Sequence, residues 1–271
     1  MAVSQQGTLK TWQRYDRKRQ FQNWAGWLTG IAIFVVCFQF ISEKTFWMFV
    51  WDAPNQVGDL VYRMVPPKWG YADKIWMPLW DTINIATLGT VLAVLIAVPV
   101  AFFAASNTSP SPTFIRPIAL LVIVSSRSIN SIIWALLLVA IVGPGIFAGI
   151  IAIGLRSIGF VAKLLYEAIE EIDHRQVEAI QATGAGGLQV LVFGIVPQIL
   201  PAFAGISVYR WDINIRESTV LGLVGAGGIG IQLNASIMML SWSQVSLILI
   251  AIIFTVILSE WVSAKVRHAI I

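Results

Sequence analysis

Long stretches of this sequence contain no charged side chain, and they restrict the possible fold more than any other feature. Residues 20–42 and 82–106 are the clearest of these stretches. A helix needs roughly 20 apolar residues to cross the hydrocarbon core of a bilayer. The chain is 57% hydrophobic and only 12% charged, whereas soluble domains carry about 25% charged residues. These features predict an all-α membrane protein that crosses the bilayer several times.

Six spans are predicted, at approximately residues 20–42, 82–106, 117–142, 146–165, 197–217 and 244–261. A cleaved signal peptide is the alternative for the first, but no small-x-small cleavage site follows it, which favours an uncleaved helix. With six spans both termini lie on the same side, and an excess of basic residues marks that side as cytoplasmic. These residues are Lys10, Arg14, Arg17, Lys18, Arg19, Arg116, Arg175, Lys265 and Arg267.

Composition divides the chain into three parts. Residues 1–80 hold the basic arm, the first span and the aromatic stretch Glu43–Asp81, in which Pro66 and Pro67 break any long helix. This stretch is expected to be an interfacial loop on the outer face. Residues 81–262 hold the remaining spans, and residues 263–271 are expected to form a basic tail.

A polar segment, residues 167–189, separates the fourth and fifth spans. Residues 167–183 are expected to form a helix that its glutamates keep in water, and Gly184 suits the left-handed position that ends a helix. A second helix is expected to begin near Leu188, and Pro197 should bend the chain into the fifth span. By spacing alone, the segment is either an ordinary cytoplasmic loop or a docking element.

The residues of this segment resemble the signature of ABC-importer permeases, which is Glu-Ala-Ala, three residues, Gly, nine residues and Ile-x-Leu-Pro. The matching positions are Glu178, Ala179, Gly184 and Pro197, and the departures are Ile180, Gly194 and Val196. Other stretches, including "RSINSIIWALLLVAIVGPGIFAG", "YRWDINIREST" and "VLGLVGAGGIG", are similar to the phosphonate importer permease family over roughly residues 81–261. Phosphite importers have closely similar permeases.

The resemblance implies a type I ABC-importer permease with a methionine-permease-like fold in the bacterial cytoplasmic membrane. Two permease chains, identical or related, would bind two ATP-hydrolysing subunits. An external solute-binding protein would deliver phosphonate or a related oxyanion such as phosphite, and another small ligand is the alternative. Glu178, Ala179 and Gly184 would contact the ATPase, and Pro197 would set the re-entry into the membrane.

The predicted fifth span contains four charged residues: Arg210, Asp212, Arg216 and Glu217. A charge at the bilayer centre costs about 2.5–3.5 kcal/mol on insertion scales, so these side chains should face protein or water. Asp212 and Arg216 are four residues apart and can pair on one helical face. Arg210 and Glu217 are seven apart and can lie on a similar stripe. The charges form either a structural ion-pair network or a pathway lining in which an arginine attracts an anionic substrate.

The third and fourth spans also carry charge. Arg127 interrupts the third span with Asn130 nearby, and it is a second candidate for attracting an anion. Arg156 and Lys163 in the fourth span are expected to extend toward the interface.

A glycine-rich segment, "VGAGGIG", follows the fifth span. Gly225, Gly227 and Gly230 satisfy G-x-G-x-x-G, but the dinucleotide fingerprint needs a βαβ unit, which this apolar context does not offer. The segment is either a turn with close helix packing or, as the resemblance implies, a gate at the outer mouth. The predicted pathway and gate residues are Arg127, Asn130, Arg210, Asp212, Arg216, Glu217, Gly225, Gly227 and Gly228.

No cofactor, metal or catalytic site is predicted. His174 and His268 are far apart, Cys37 is the single cysteine, and no G-x-x-x-x-G-K-[ST] motif occurs, so ATP hydrolysis belongs to a separate subunit. Basic residues lie at helix ends instead of along a groove, which argues against nucleic acid. A membrane-embedded enzyme would need converging catalytic groups. An ATP-independent secondary transporter would not require a coupling-type loop.

Overall fold

The computed structural model describes residues 3–6, 9–12 and 17–270, and it divides into two compact units, Met1–Tyr62 and Arg63–Ile271. Arg14 of the predicted basic arm lies outside the described residues. The first unit contains an antiparallel hairpin of β1 (Val3–Gln6) and β2 (Leu9–Trp12). Two helices follow, α1 (Arg17–Lys44) and α2 (Trp47–Met64), and the latter ends just beyond the unit.

The second unit is helical throughout its described residues. A 3-10 turn at Trp69–Tyr71 leads into its first helix. A π-helical turn at Leu191–Ile195 directly precedes the helix Val196–Leu221, and a 3-10 turn at Gly222–Val224 directly follows it. In chain order, its helices are α3 (Ala72–Ala104), α4 (Ile115–Ser128), α5 (Ser131–Val142), α6 (Ile146–Glu170), α7 (His174–Ala182), α8 (Gly187–Val190), α9 (Val196–Leu221), α10 (Ile229–Met238) and α11 (Trp242–Ile270).

Five helical stretches of the described chain are long and apolar enough to cross a membrane, and α4 with α5 makes a sixth if the pair counts as one span. The predicted helical membrane architecture is therefore confirmed, with the short N-terminal hairpin as an addition that the sequence did not predict. The expectation of one helix over residues 117–142 is wrong, because α4 and α5 meet at 87°. Ile129 is extended at the break, and the side chain of Asn130 accepts a hydrogen bond from the amide of Ile132 (3.3 Å), which caps α5.

The bent pair α4–α5 carries the chain from one end of α6 to the other. At the C-terminal end of α6, Glu170 accepts hydrogen bonds from the amide of Ser106 (2.7 Å), two residues after the end of α3, and from Arg116 (3.2 Å) in the first turn of α4. At the N-terminal end, the amide of Gly145 donates to the carbonyl of Gly225 (3.0 Å). Helix α6 has 25 residues and is about 38 Å long. The pair is therefore a broken span, not a re-entrant loop.

The stretch Glu43–Asp81, predicted to be an interfacial loop, is largely helical. Helix α2 occupies its first half and ends just before Pro66 and Pro67, and α3 begins at Ala72, ten residues before the predicted span. Pro54 lies within α2, seven residues after its first residue. The two consecutive prolines mark the helix boundary, whereas the single proline does not.

Small residues allow α3 and α6 to pack closely, and this contact forms the centre of the second unit. Ala93, Ala97 and Ala101 on α3 are completely buried. A Cβ atom placed on Gly89 would lie 2.8 Å from the Cγ2 of Ile153 on α6. Close approach of backbones through small residues is the usual way in which helices associate in lipid, where apolar burial alone gives no preference for protein contact.

Candidate functional site

The polar segment between α6 and α9 forms a short helix, a turn and a second short helix. The predicted helix over residues 167–183 is broken at Glu171–Asp173, where Asp173 caps α7 by accepting from the amide of Arg175 (3.0 Å). Gly184 has a φ of +82°, which confirms the predicted left-handed end of the helix. Helix α8 begins at Gly187, as expected near Leu188.

One face of this segment is exposed and the other is anchored. Glu178, Ala179 and Gly184 are all exposed. On the opposite face, Val177 and Val190 are 8% and 6% exposed and belong to a core that also contains residues of α3 and α6. The three predicted contact residues are therefore accessible on an element whose other side packs into the core.

Gly194 explains how α7 lies so close to the next element. A Cβ on this buried glycine would be 3.3 Å from Ile180 and 3.6 Å from the Cα of Val177. The side chain of Gln198 adds a polar link, because it accepts from the amide of Asp173 (2.9 Å) and donates to the carbonyl of Gly194 (2.7 Å). Position 194 departs from the signature, and the structure gives the departure a packing role.

Pro197 does not bend the chain as expected. Helical structure continues through Gly187–Val224, with Pro197 exposed in the first turn of α9 directly after the π-helical turn. A proline is tolerated in a first turn because its missing N–H has no partner to lose there. The re-entry into the membrane therefore occurs through a continuous helix.

The charged residues of α9 form two clusters on different faces of the helix. In the first cluster, Arg210 is only 2% exposed, and it donates to Ser157 of α6 (2.9 Å) and to Glu217 (3.3 Å). Its guanidinium carbon also lies 5.1 Å from the centre of the Phe160 ring, a cation–π contact. The predicted alignment of Arg210 with Glu217 is thus an ion pair.

The first cluster continues on both sides of this pair. Arg156 of α6 lies 3.6 Å from Glu217 and donates to the Oδ1 of Asn130 (2.9 Å). On the inner side, Ser157 donates to the Oδ1 of Asn214 (3.1 Å), and Asn214 donates to Thr90 of α3 (2.7 Å). The result is a polar chain from the α4–α5 break to the centre of α3.

The second cluster faces α11. Asp212 is paired with Arg216, as the spacing of four residues predicts, and it accepts a hydrogen bond from Ser259 of α11 (2.8 Å). The side chain of Asp212 is 5% exposed, whereas that of Arg216 is 49% exposed. The carboxylate is therefore fixed between two helices, and the guanidinium reaches outward.

Arg127 and Asn130 lie on either side of the α4–α5 break but differ in their contacts. Asn130 joins the first cluster through Arg156, as described above. Within the described residues, Arg127 is exposed and has no hydrogen bond or ion pair, and its aliphatic stem lies against Gly159 of α6. Ser126 fastens α4 to α6 at the same place by accepting from the amide of Gly159 (2.9 Å).

The glycine-rich segment is a closely packed turn. Gly225, Gly227 and Gly228 have φ values of +88°, +88° and +75°, a region that favours glycine. A Cβ on Gly227 would lie 2.9 Å from the Cα of Ile146, and one on Gly228 would lie 2.7 Å from the hydroxyl of Thr82. That hydroxyl also accepts from the first amide of α10, at Ile229 (2.8 Å).

Sequence reasoning missed several members of the first cluster. Arg156 was assigned to the interface, and Ser157, Asn214 and Thr90 were not singled out. The sequence did contain a signal. Arg156 and Ser157 interrupt the apolar run of the fourth predicted span, and Asn214 lies within the charged fifth span. Polar groups within a span are costly unless they find partners, so their co-occurrence on two spans predicts contact.

Comparison with known proteins identifies the family. The family model described as binding-protein-dependent transport system inner membrane component matches residues 89–263. The chain is 36% identical over 250 residues to the phosphite transport system permease protein PtxC of Stutzerimonas stutzeri, covering 89% of this chain and 90% of that protein. It is also 36% identical over 220 residues to the phosphate-import permease protein PhnE of Mycolicibacterium smegmatis, covering 81% of this chain and 41% of that protein.

The fold agrees with this assignment. An inward-facing structure of the MetNI methionine ABC transporter superposes with a TM-score of 0.63 and 21% identity, covering 73% of this chain and 96% of that one. At this identity the likeness concerns the fold alone. The chain belongs to the family of binding-protein-dependent transport system inner membrane components, and it is a non-catalytic, multi-pass permease subunit of an ABC importer.

Proposed function

We propose that this permease imports a small phosphorus oxyanion, phosphonate or phosphite. The observation that carries the proposal is the cluster of Arg156, Arg210 and Glu217 inside the spans, which holds more positive than negative charge. Guanidinium groups bind phosphorus oxyanions through paired N–H donors. The names of two relatives, a phosphite permease and a phosphate-import permease, support the same chemical class.

The proposed partners follow from the family. Two permease chains, identical or related, would bind two ATP-hydrolysing subunits, and an external binding protein would deliver the ligand. The exposed face with Glu178, Ala179 and Gly184 is the proposed contact with the ATPase. Because the opposite face is anchored in the core with α3 and α6, movement of the ATPase subunits would reach the spans through packed side chains.

The polar residues within the spans are the proposed pathway. The cluster of Arg210 and Glu217 and the pair of Asp212 and Arg216 lie on two faces of α9, so rotation of α9 would change which cluster faces the path. The glycine-rich turn, with Gly225, Gly227 and Gly228, is the proposed outer gate. ATP binding would close the ATPase dimer and convert the permeases between inward- and outward-facing states.

Transport by the reconstituted complex tests the proposal. Proteoliposomes containing the permease, its ATPase and its binding protein should accumulate phosphite or methylphosphonate only when ATP is present. Accumulation of methionine but of neither phosphorus oxyanion would contradict the assigned ligand class. Uptake that proceeds without ATP would instead favour a secondary transporter.

The N-terminus is proposed to lie in the cytoplasm, and α2 is proposed to lie in the interfacial region on the external face of the cytoplasmic membrane. Helix α2 begins three residues after α1 ends, and none of its residues is buried within the protein. Its polar residues, including Asn55, share one side, whereas Val57, Val61 and both of its tryptophans lie around the rest. Aromatic side chains are enriched at this depth of a membrane.

Cysteine labelling from the outside of intact cells tests the placement of α2. Cys37, the single cysteine, is first replaced with serine, and one cysteine is introduced at Asn55, Val57 or Val61. All three positions are exposed in the protein, so only the membrane should distinguish them. A membrane-impermeant maleimide should label the Asn55→Cys variant roughly tenfold faster than the other two. Equal rates would contradict an interfacial α2, and labelling only in opened cells would contradict the proposed orientation.

A further inference from the structure

Two arginines share one carboxylate in the first cluster, and their surroundings differ. Arg210 is enclosed: its side chain is 3% exposed and is held by Ser157, Glu217 and the ring of Phe160. The side chain of Arg156 is 32% exposed and lies slightly farther from Glu217, at 3.6 Å compared with 3.3 Å for Arg210. Arg210 is therefore a fixed partner of Glu217, and Arg156 is the cation that can leave it.

Arg127 lies beside Arg156 on the accessible side. A Cβ on Gly159 would be 2.8 Å from the Cγ of Arg127, and Gly159 is three residues, or about one helical turn, after Arg156 on α6. Asn130, at the same break between α4 and α5, accepts from Arg156. The two arginines therefore border one region at the α4–α5 break.

The ion pairs of the surrounding helices leave this region with positive charge. On α4, α5, α6 and α9 there are six lysines and arginines and four carboxylates, all of which are described. Glu170 pairs with Arg116, Glu167 pairs with Lys163, and Asp212 pairs with Arg216. Glu217 remains for both Arg156 and Arg210, and Arg127 has no carboxylate. The excess of two positive charges therefore lies at the break, next to accessible guanidinium groups.

We propose that Arg156 and Arg127 form the contact site for a doubly charged phosphorus oxyanion, and that Glu217 is the counter-ion of Arg156 when the site is empty. The inference rests on the proposed function. An entering dianion replaces Glu217 at Arg156, and Glu217 stays paired with Arg210. When Glu217 pairs with Arg156 again, the anion is released, so the carboxylate limits how tightly the path holds its cargo. The side chain of Glu217 is only 18% exposed, so it needs a partner at every stage, and Arg210 remains paired with it throughout the exchange.

The experiment compares three variants in the complete transporter with its ATPase and binding protein. Arg156→Gln removes the contact charge, and Glu217→Gln removes the counter-ion but keeps an oxygen that can accept from Arg210. Lys163→Gln is the matched control. The side chain of Lys163 is a cation on the same helix, is 37% exposed and is paired with Glu167 one turn away. The maximal rate of phosphite uptake is measured at saturating binding protein. Direct binding is measured by ³¹P line broadening of phosphite on the permease–ATPase complex in nanodiscs, without binding protein.

The expected changes have opposite directions for the two cluster variants. Arg156→Gln should lower uptake roughly tenfold or more and abolish the broadening. Glu217→Gln should shift the midpoint of the broadening to a phosphite concentration roughly tenfold lower, while uptake slows because release is hindered. Lys163→Gln should stay within about twofold of the unmodified transporter in both measurements.

Two outcomes overturn the inference while the proposed function stands: phosphite uptake by Arg156→Gln at the unmodified rate, or no tighter binding by Glu217→Gln. If Arg156→Gln does not assemble, phosphite binding by Glu217→Gln tests the inference alone. Removing one member of a purely structural ion pair would not make phosphite bind more tightly. If the unmodified transporter imports no phosphorus oxyanion, the proposed function fails and this inference fails with it.

Discussion

A permease carrying Gly184→Asp is expected to insert in the membrane but to lose ATP-driven uptake. Gly184 is exposed and a Cβ there meets no atom within 4 Å, so the change costs the isolated protein only the strain of a φ of +82°. That strain is of order 1 kcal/mol or a little more. The added carboxylate lies in the same exposed segment as Glu178, which is the proposed contact with the ATPase. Loss of a central interface contact worth about 2 kcal/mol lowers association roughly 30-fold.

Co-purification of the ATPase and ATP-driven uptake measure this effect. Gly143→Asp is a stringent control for backbone strain, because Gly143 has φ +98° and ψ 165°, a region essentially restricted to glycine, with open space around it, and it lies at the opposite end of α6, before its start. It should still retain the ATPase. Gly184→Asn distinguishes the effect of side-chain size from that of the added charge. Asparagine tolerates the left-handed region and has nearly the size of aspartate without its charge. Undiminished uptake by Gly184→Asp would refute the proposed coupling contact.

Gly230→Ala is expected to destabilise the permease more than any other single methyl addition considered. The new Cβ would overlap the carbonyl oxygen of Thr219 and lie 2.7 Å from the Cα of Gly222. Both neighbours are backbone, so no flexible side chain can move aside. Overpacking of a rigid core costs about 1–3 kcal/mol and occasionally more, and this site should fall at or above the upper limit.

Thermal unfolding of the purified permease in detergent measures the cost. Gly205→Ala in the middle of α9 is the matched control, because a Cβ there meets nothing within 4 Å. It should be neutral or raise stability by about 0.5–1 kcal/mol, since alanine loses less entropy than glycine in a helix. If Gly230→Ala unfolds at the unmodified temperature but transports poorly, the glycine-rich turn is a moving gate and close packing is not its main role.

The polar segment, residues 167–189, shows which local features the sequence predicts reliably. The left-handed Gly184 and the start of α8 near Leu188 were predicted because both depend on a few adjacent residues. The break at Glu171–Asp173 was not, because the cap by Asp173 is reinforced by Gln198, which is 25 residues away. The anchoring role of Gly194 was also invisible, because it depends on the approach of α7 to a different element.

The charged spans show the same division. The Asp212–Arg216 pair follows from a spacing of four within one helix. The sequence did not predict the partners of Arg156, which are Glu217 on α9 and Asn130 at the α4–α5 break. Ser157 and Asn214, both completely buried, support the cluster and became evident only in the folded protein.

The sequence by itself determined that the chain is helical, crosses the membrane about six times and carries a polar segment between two of its spans. Each of these properties depends on transfer of a single segment between water and lipid, or on the conformation of a few neighbouring residues. Only the tertiary structure decided that Glu217 serves both Arg156 and Arg210, and that Arg127 has no carboxylate among the described residues. The pairing of a charged side chain depends on how closely its helix approaches its neighbours and how each helix is rotated. Small residues such as Gly89 on α3 and Gly159 on α6 permit the close approach of neighbouring helices.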